Sequence, residues 1–348
     1  MDFMLDIELP EAPKPITHQH KILSIGSCFT EHIGGALKNL KFEVLQNPNG
    51  ILFDPASVCS SLISYIQNKQ YSDNDLFQQN EVWQSWQHHS RFSSIDKEKV
   101  LTSINQSQSA AHNFLKEADW LIITLGTSFS YRLIKEENSL SSNAIIFNKI
   151  ESEDGTPVAN CHRAPAKWFH KHLMTAAEII EAFDNTIHQL FYFNKKVNII
   201  FTISPVRHIR DGVVENNRSK ARLIEAVHHL VNKFDRLFYF PAYELVIDVL
   251  RDYRFYSEDM VHPNYLATDF VLEKFLKTYT TEETQTIIGE IKKILIARKH
   301  KPSHPTTEAH KKFLQANVEK LKSLQQQYPA INFNEEMEYF QNQNKIDQ

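Results

Sequence analysis

Short, continuously apolar runs that alternate with stretches of helical periodicity limit this chain's fold more than any other feature. Lys21 to Ile25, Trp120 to Leu125, Val197 to Thr202 and Leu237 to Phe240 read as strands buried on both faces, and Phe42 to Leu45 as a shorter one. Between and after them lie helical stretches. Glu31 to Leu40 carries Ile33 and Leu37 on one face, and Asp54-Pro55 opens a helix as cap and first residue. Further helices are expected near Leu173 to Phe193 and Glu215 to Phe234, the latter with Leu223, Val227, Leu230 and Phe234 on one stripe. Strand and helix in alternation predict an α/β fold. The expected form is a three-layer α/β/α sandwich around a mostly parallel, flavodoxin-like sheet of about five strands.

The pattern changes near residue 280. Thr280 and Glu283 form a Thr-x-x-Glu capping box before Ile287, Ile288 and Ile291. The break Lys301-Pro302-Ser303-His304-Pro305 precedes a helix with Leu314, Val318, Leu321 and Leu324 on one face. The expected organisation is therefore an α/β domain over 1–280 and a helical appendage over 281–348. That tail packs either on its own chain or on a partner, so a homo-oligomer joined through the C-terminal helices stays open. The 348 residues suit roughly two domains. No internal repeat is present.

Composition excludes several classes. Lys and Arg number 38 against 42 Asp and Glu, a net charge of −4, which argues against a nucleic-acid partner. No apolar stretch reaches about 18 residues, so no membrane span is expected. The opening Met1 to Pro10 lacks the basic and long apolar regions of a signal peptide. Three cysteines, Cys28, Cys59 and Cys161, are too few and odd for a disulfide framework, and a cytoplasmic location is expected. Seventeen histidines include no metal-binding spacing, and no Gly-rich phosphate loop occurs, so neither a metal nor a cofactor is expected.

In open α/β sheets ligands bind at the carboxyl ends of the strands. The segments expected there are Gly26-Ser27-Cys28, the loop Asn47-Pro48-Asn49-Gly50, Gly126-Thr127-Ser128 and Ser204-Pro205. Glu258-Asp259-Met260-Val261-His262-Pro263 adds a cluster of polar and titratable side chains near the end of the presumed sheet.

Ser24-Ile25-Gly26-Ser27-Cys28-Phe29-Thr30-Glu31 resembles the signature of the GSCFA family, which is similar to the SGNH/GDSL superfamily of esterases and lipases. The resemblance continues through Asn47 to Leu52, Thr124 to Thr127, Asn160-Cys161-His162, Ser204 to His208 and Glu258 to Pro263, roughly residues 20 to 270. It implies acyl-ester hydrolysis through a covalent acyl-enzyme. The superfamily's Gly-Asp-Ser block falls on Gly26, Ser27 and Cys28, which makes Cys28 the positional nucleophile, with Ser27 the alternative if the turn rotates by one residue. A thiol at a helix start is expected to have a lowered pKa. Gly50 matches the glycine that lends its N–H to the oxyanion. Gly126-Thr127-Ser128 occupies the Gly-x-Asn-Asp position but lacks the asparagine, so Ser128 or Asn160 is left to donate in its place. Asp259 and His262 match the Asp-x-x-His block, with His262 as base and Asp259 as its orienting carboxylate.

Asn160 and His162 are expected to line the pocket. Arg207 and His208 either bind an acidic or hydroxylated substrate or anchor a loop. His88 to Phe92, after Trp83 and Trp86, is either a substrate wall or a packed surface strand. The expected substrate is a small-molecule or carbohydrate ester. The rival readings are a binding or scaffold protein that keeps the fold, and an O-acyltransferase acting on a carbohydrate.

Overall fold

The computed structural model describes residues 5–9, 12–134 and 157–346; the opening Met1 to Met4 lies outside them. The described chain divides into two compact units. The first gathers mainly Lys21–Gly35 and Val44–Leu272; the second gathers Leu9–His20, Ala36–Glu43 and Glu273–Gln348.

The first unit is built on strands β1 (Lys21–Gly26), β2 (Glu43–Gln46), β5 (Trp120–Leu125), β9 (Asn198–Ile203) and β10 (Leu237–Phe240). They form one sheet in the order β10-β9-β5-β1-β2. Counted along the chain within this sheet the order is 2-1-3-4-5, that of flavodoxin. The β1–β5, β5–β9 and β9–β10 pairs run parallel. The expected α/β class and sheet are found.

Alternation along each strand builds the core. Leu23 and Ile25, Leu121, Ile123 and Leu125, Ile199, Phe201 and Ile203 all point to one face. There they meet buried residues of α2 (Pro55–Gln67), α3 (Lys97–Glu117), α4 (Ala176–Phe193) and α5 (Val213–Lys233). Ile22, Trp120, Ile122 and Ile200, on the opposite face, are buried too. Burial on both sides is why these strands read as unbroken apolar runs.

Two smaller sheets were not foreseen. β3 (Phe77–Gln79) and β4 (Val82–Gln84) form an antiparallel ribbon, and β6 (Phe129–Leu133) lies between β7 (Pro157–Val158) and β8 (Phe169–Leu173). These strands are two to five residues long and mix charged, polar and aromatic side chains, so no clean period shows. His88 to Phe92 is not a surface strand: Ser90–Phe92 is a single 3-10 turn, where the His89 side chain accepts from Arg91 N and His89 O from Phe92 N.

A one-turn helix α6 (Ala242–Glu244) follows β10, and α7 (Tyr265–Tyr279) follows the Asp259–His262 loop. In the second unit α8 (Glu282–Lys299), α9 (Glu308–Gln327) and α10 (Asn334–Ile346) carry buried Ile287, Ile291, Leu314, Leu321 and Phe340. Glu336, almost wholly buried, meets Lys41 at 2.7 Å and Arg298 at 3.6 Å. The α8 cap is Thr281, whose hydroxyl accepts from Thr284 N, and not the expected Thr280, whose hydroxyl donates to Leu276 O. Asp54 caps α2 as expected, accepting from Ser57 N.

β1 ends at Gly26, with φ of +141°, and a Cβ there would stand 2.1 Å from Thr124 O of β5. A non-glycine residue would suffer both the strained backbone and the collision. Gly26→Ala is expected to cost roughly 3 kcal/mol or more, read as a lowered urea midpoint with an unchanged m-value.

Candidate active site

The turn after β1 is fastened on both sides. Ser27 N donates to Thr124 O at 3.0 Å, and Gly26 N donates to Asn47 Oδ1 at 2.9 Å. Asn47 N returns a bond to Ser24 O at 2.8 Å, and the Arg91 guanidinium donates to Asn47 O. Buried Asn47 therefore ties the loop after β2 to the exit of β1. The chain then enters α1 (Cys28–Asn39), with Cys28 as its first residue and Thr30 N donating to Ser27 O.

Cys28 is half-buried, and its own N–H and that of Phe29 face the sulfur. Burial nevertheless raises the thiol pKa above its ordinary value, outweighing those N–H groups and the Lys220 charge, while Glu31 adds to the rise. The lowering expected from the helix start is present but smaller than the desolvation. Ser27 is about 1 % exposed, and among the described residues its hydroxyl has no hydrogen-bond partner. Burial also pushes the other thiols up, Cys59 to about 12 and Cys161 to about 11.

Gly50 has φ of +85°, and its missing side chain leaves room for His89, whose Cβ would lie 2.1 Å from a Gly50 Cβ. The Gly50 N–H is committed to Asn47 O at 2.8 Å, closing the turn. His89 is half-buried, and Glu31 acts electrostatically on both its ring and Cys28. It belongs to the His88 to Phe92 segment that the sequence offered as a substrate wall or a surface strand.

At the end of β5 the N–H groups of Gly126 and Thr127 both donate to Phe53 O. Ser128 N donates to Ser219 Oγ at 2.7 Å, while the buried Ser128 hydroxyl has no hydrogen-bond partner among the described residues. Gly126 O and Ser204 O, at the ends of β5 and β9, each accept from Lys220 Nζ at 2.6 Å. Lys220 is about 2 % exposed, and among the described residues it has no carboxylate partner. Burial brings its ammonium down to about 7, with the neighbouring Cys28 opposing that fall. Sequence reading passed over Lys220. The available signal was its place three and seven residues before the stripe positions Leu223 and Val227, on the face with buried Asn216 and Ser219.

Asp259 and His262 form a pair: Nδ1–H donates to Asp259 Oδ2 at 2.6 Å. Asp259 Oδ1 also accepts from the N–H groups of Val261 and His262, at 2.9 and 3.0 Å. The ring is thus held with Nδ1 protonated, which leaves the Nε2 lone pair to accept a proton. Val261 O accepts from Arg207 N at 3.2 Å, which ties this loop to the segment following β9. The Arg207 guanidinium lies over Tyr256 and Tyr253, 4.5 and 5.5 Å from the ring centroids.

Asn160 and His162 belong to an aromatic corner. Asn160 Oδ1 accepts from His162 N at 2.8 Å, and His162 Nε2–H donates to Ser85 O at 2.8 Å. The His162 ring packs near Phe77 and Trp86. His88, buried between Tyr71 and Phe92, is kept neutral by desolvation, its pKa falling to about 3.

The fold and these side chains define an α/β protein whose candidate site residues are carried on turns after β1, β5 and β9 and on a late Asp-x-x-His loop. The model of the GSCFA family matches residues 21–275, and the chain belongs to that family. Residues 291–346 match the C-terminal domain of GSCFA domain proteins. No curated protein matches the chain. Among the described residues no helix is long and apolar enough to cross a membrane.

The Asp259 carboxyl, held by three hydrogen bonds, is brought down from its ordinary value to about 2, the His262 N–H first among the causes. Its depressed value means that its contribution to the folded loop holds above about pH 4 and is lost as pH falls through about 2. Carboxyl ¹³C NMR is expected to place its titration near pH 2. His262→Ala should raise it only part of the way, since the backbone donors remain.

Proposed function

We propose that this protein is an acyl-ester hydrolase that works through a covalent acyl-enzyme on Cys28. The geometry of Asp259 and His262 carries the reading: a carboxylate-oriented imidazole with a free Nε2 is the proton-transfer pair such a reaction needs. Membership of the GSCFA family supports it, as does the strand order, which sets Cys28 at the carboxyl end of β1, beside β5.

In the proposed reaction Cys28 Sγ attacks the ester carbonyl. His262 Nε2 receives the proton of the Cys28 thiol and delivers it to the departing alkoxide, and Asp259 stabilises the imidazolium. The N–H groups of Cys28 and Phe29 at the start of α1, which face the sulfur, are the proposed donors to the developing oxyanion. The Ser128 hydroxyl, buried and unpartnered, is the further donor proposed in place of the missing asparagine amide. Gly50 shapes the pocket by admitting His89, and Gly126 anchors the β5 end. Arg207 with its two tyrosines is the proposed contact for a hydroxylated or carbohydrate portion of the substrate, with Asn160 and His162 as a second wall.

Two other outcomes have specific support. A sugar alcohol replacing water as acceptor would make the same site an O-acyltransferase, consistent with the aromatic platform at Arg207. The raised thiol pKa of Cys28 favours a non-catalytic binding protein.

Hydrolysis of a panel of p-nitrophenyl acyl esters, with and without added sugars, separates these readings. Cys28→Ala and His262→Ala are each expected to lower kcat/KM at least about 100-fold, with Ser27→Ala affecting it far less. Equal rates for wild type and His262→Ala would refute the proposed mechanism. Consumption of ester that depends on an added sugar would assign transfer.

A further inference from the structure

The segment after β9 is fastened residue by residue. Val206 N donates to Ser204 Oγ at 3.3 Å, Arg207 N to Val261 O at 3.2 Å, and His208 N to Asn216 Oδ1 at 2.8 Å. The His262 loop is fastened in turn to the stretch that carries Tyr256. Tyr256 bridges to Pro263, Ser257 N donates to His262 O at 2.8 Å, and Asn264 N donates to Phe255 O at 2.9 Å. The Arg207 guanidinium joins these arms by lying over the buried Tyr256 ring, with exposed Tyr253 beside it. Among the described residues no carbonyl or carboxylate takes a hydrogen bond or ion pair from that guanidinium. The carboxylates of the same segments are engaged elsewhere, Asp252 with Arg254, Asp211 with Lys171 and Asp259 with His262, and exposed Glu258 forms no ion pair with it. Arginines that tie down chain in this fold spend their N–H groups on backbone carbonyls: Arg91 on Asn47 and Pro48, Arg222 on Leu173 and Met174, Arg236 on Lys195 and Val197. At Arg207 the main chain and the rings do the anchoring, and the N–H groups are left over.

We propose that Arg207 is the subsite for a carboxylate carried on the alcohol portion of the ester substrate. A guanidinium held against a ring by its flat face keeps its in-plane N–H groups unspent, and two of these match the two oxygens of a carboxylate. One guanidinium balances one negative charge, which suits a carboxylate better than a phosphate dianion. A neutral sugar could accept from the same N–H groups but would leave the cation without a counter-charge. The position of the charge follows from the bonds around it. In the proposed reaction His262 hands its proton to the departing alcohol, and Arg207 is bonded to the His262 loop through Val261 O. The charge that Arg207 reads therefore belongs to the alcohol and not to the acyl group. The inference rests on the proposed hydrolase reading and names its substrate class: acyl esters of hydroxy acids, an acylated uronic acid being the carbohydrate form.

Phenol release from matched acetyl esters, those of 3- and 4-hydroxybenzoate against those of the corresponding hydroxybenzamides, tests this at neutral pH. The readout is the ratio of kcat/KM for carboxylate ester to amide ester. Wild type is expected to favour the carboxylate, and Arg207→Gln to lower the ratio about tenfold, mainly through KM. Arg207→Lys, which keeps the charge without the planar fork, should recover part of it. Equal ratios for wild type and Arg207→Gln would overturn the proposal while leaving the hydrolase reading in place. Should neither ester turn over, or Arg207→Gln not fold, side-chain ¹⁵Nε NMR of wild type decides, with the Arg207 signal assigned as the one missing from Arg207→Lys. A shift with added hydroxybenzoate but not with hydroxybenzamide keeps the anion subsite, even where the hydrolase reading is lost. No shift with either would overturn the subsite.

Discussion

The seating of Gly26 against the Thr124 carbonyl decides where the chain leaves the sheet, and the rest of the site follows from that point. Parallel pairing puts Gly26 opposite Thr124. With no side chain at 26, the backbone turns over the β5 carbonyl, and Ser27 N takes the bond that a continuing strand would have made. α1 therefore begins one residue later, with Cys28 at its head. Asn47 closes the other side of the turn by accepting from Gly26 N, which fixes the β2 loop and Gly50 beside it. One glycine contact thus sets the positions of the sulfur, the helix N-terminus and His89.

The second constraint is electrostatic. Parallel strand ends leave carbonyl groups directed into the space where ligands gather, and here two of them, from the ends of β5 and β9, receive the same lysine. A methionine of like length would bury more cheaply but would leave both carbonyls unsatisfied. An arginine would stay charged at every working pH. Lysine alone combines a buried clamp with a proton that can leave. Burial raises the Cys28 thiol and lowers the Lys220 amine from their ordinary values.

The central sheet was legible because its strands are buried on both faces and its helices carry stripes of apolar residues. Trp120 to Leu125 and Leu237 to Phe240 are strands over the very residues whose unbroken apolarity marked them. The smaller sheets were illegible for the opposite reason: Phe129-Ser130-Tyr131-Arg132-Leu133 and Phe169-His170-Lys171-His172-Leu173 carry no clean period. Thr280 and Thr281 stand one residue apart with acidic residues following both, so the pattern alone did not choose the cap. The Asp259–His262 contact follows from a three-residue spacing on one loop. The Lys220 contact joins residues 94 and 16 positions apart, and no local pattern encodes it. A lysine on an otherwise buried stripe was its one trace. The second unit collects Leu9–His20 and Ala36–Glu43 with the C-terminal helices, and the composition of those segments does not announce it.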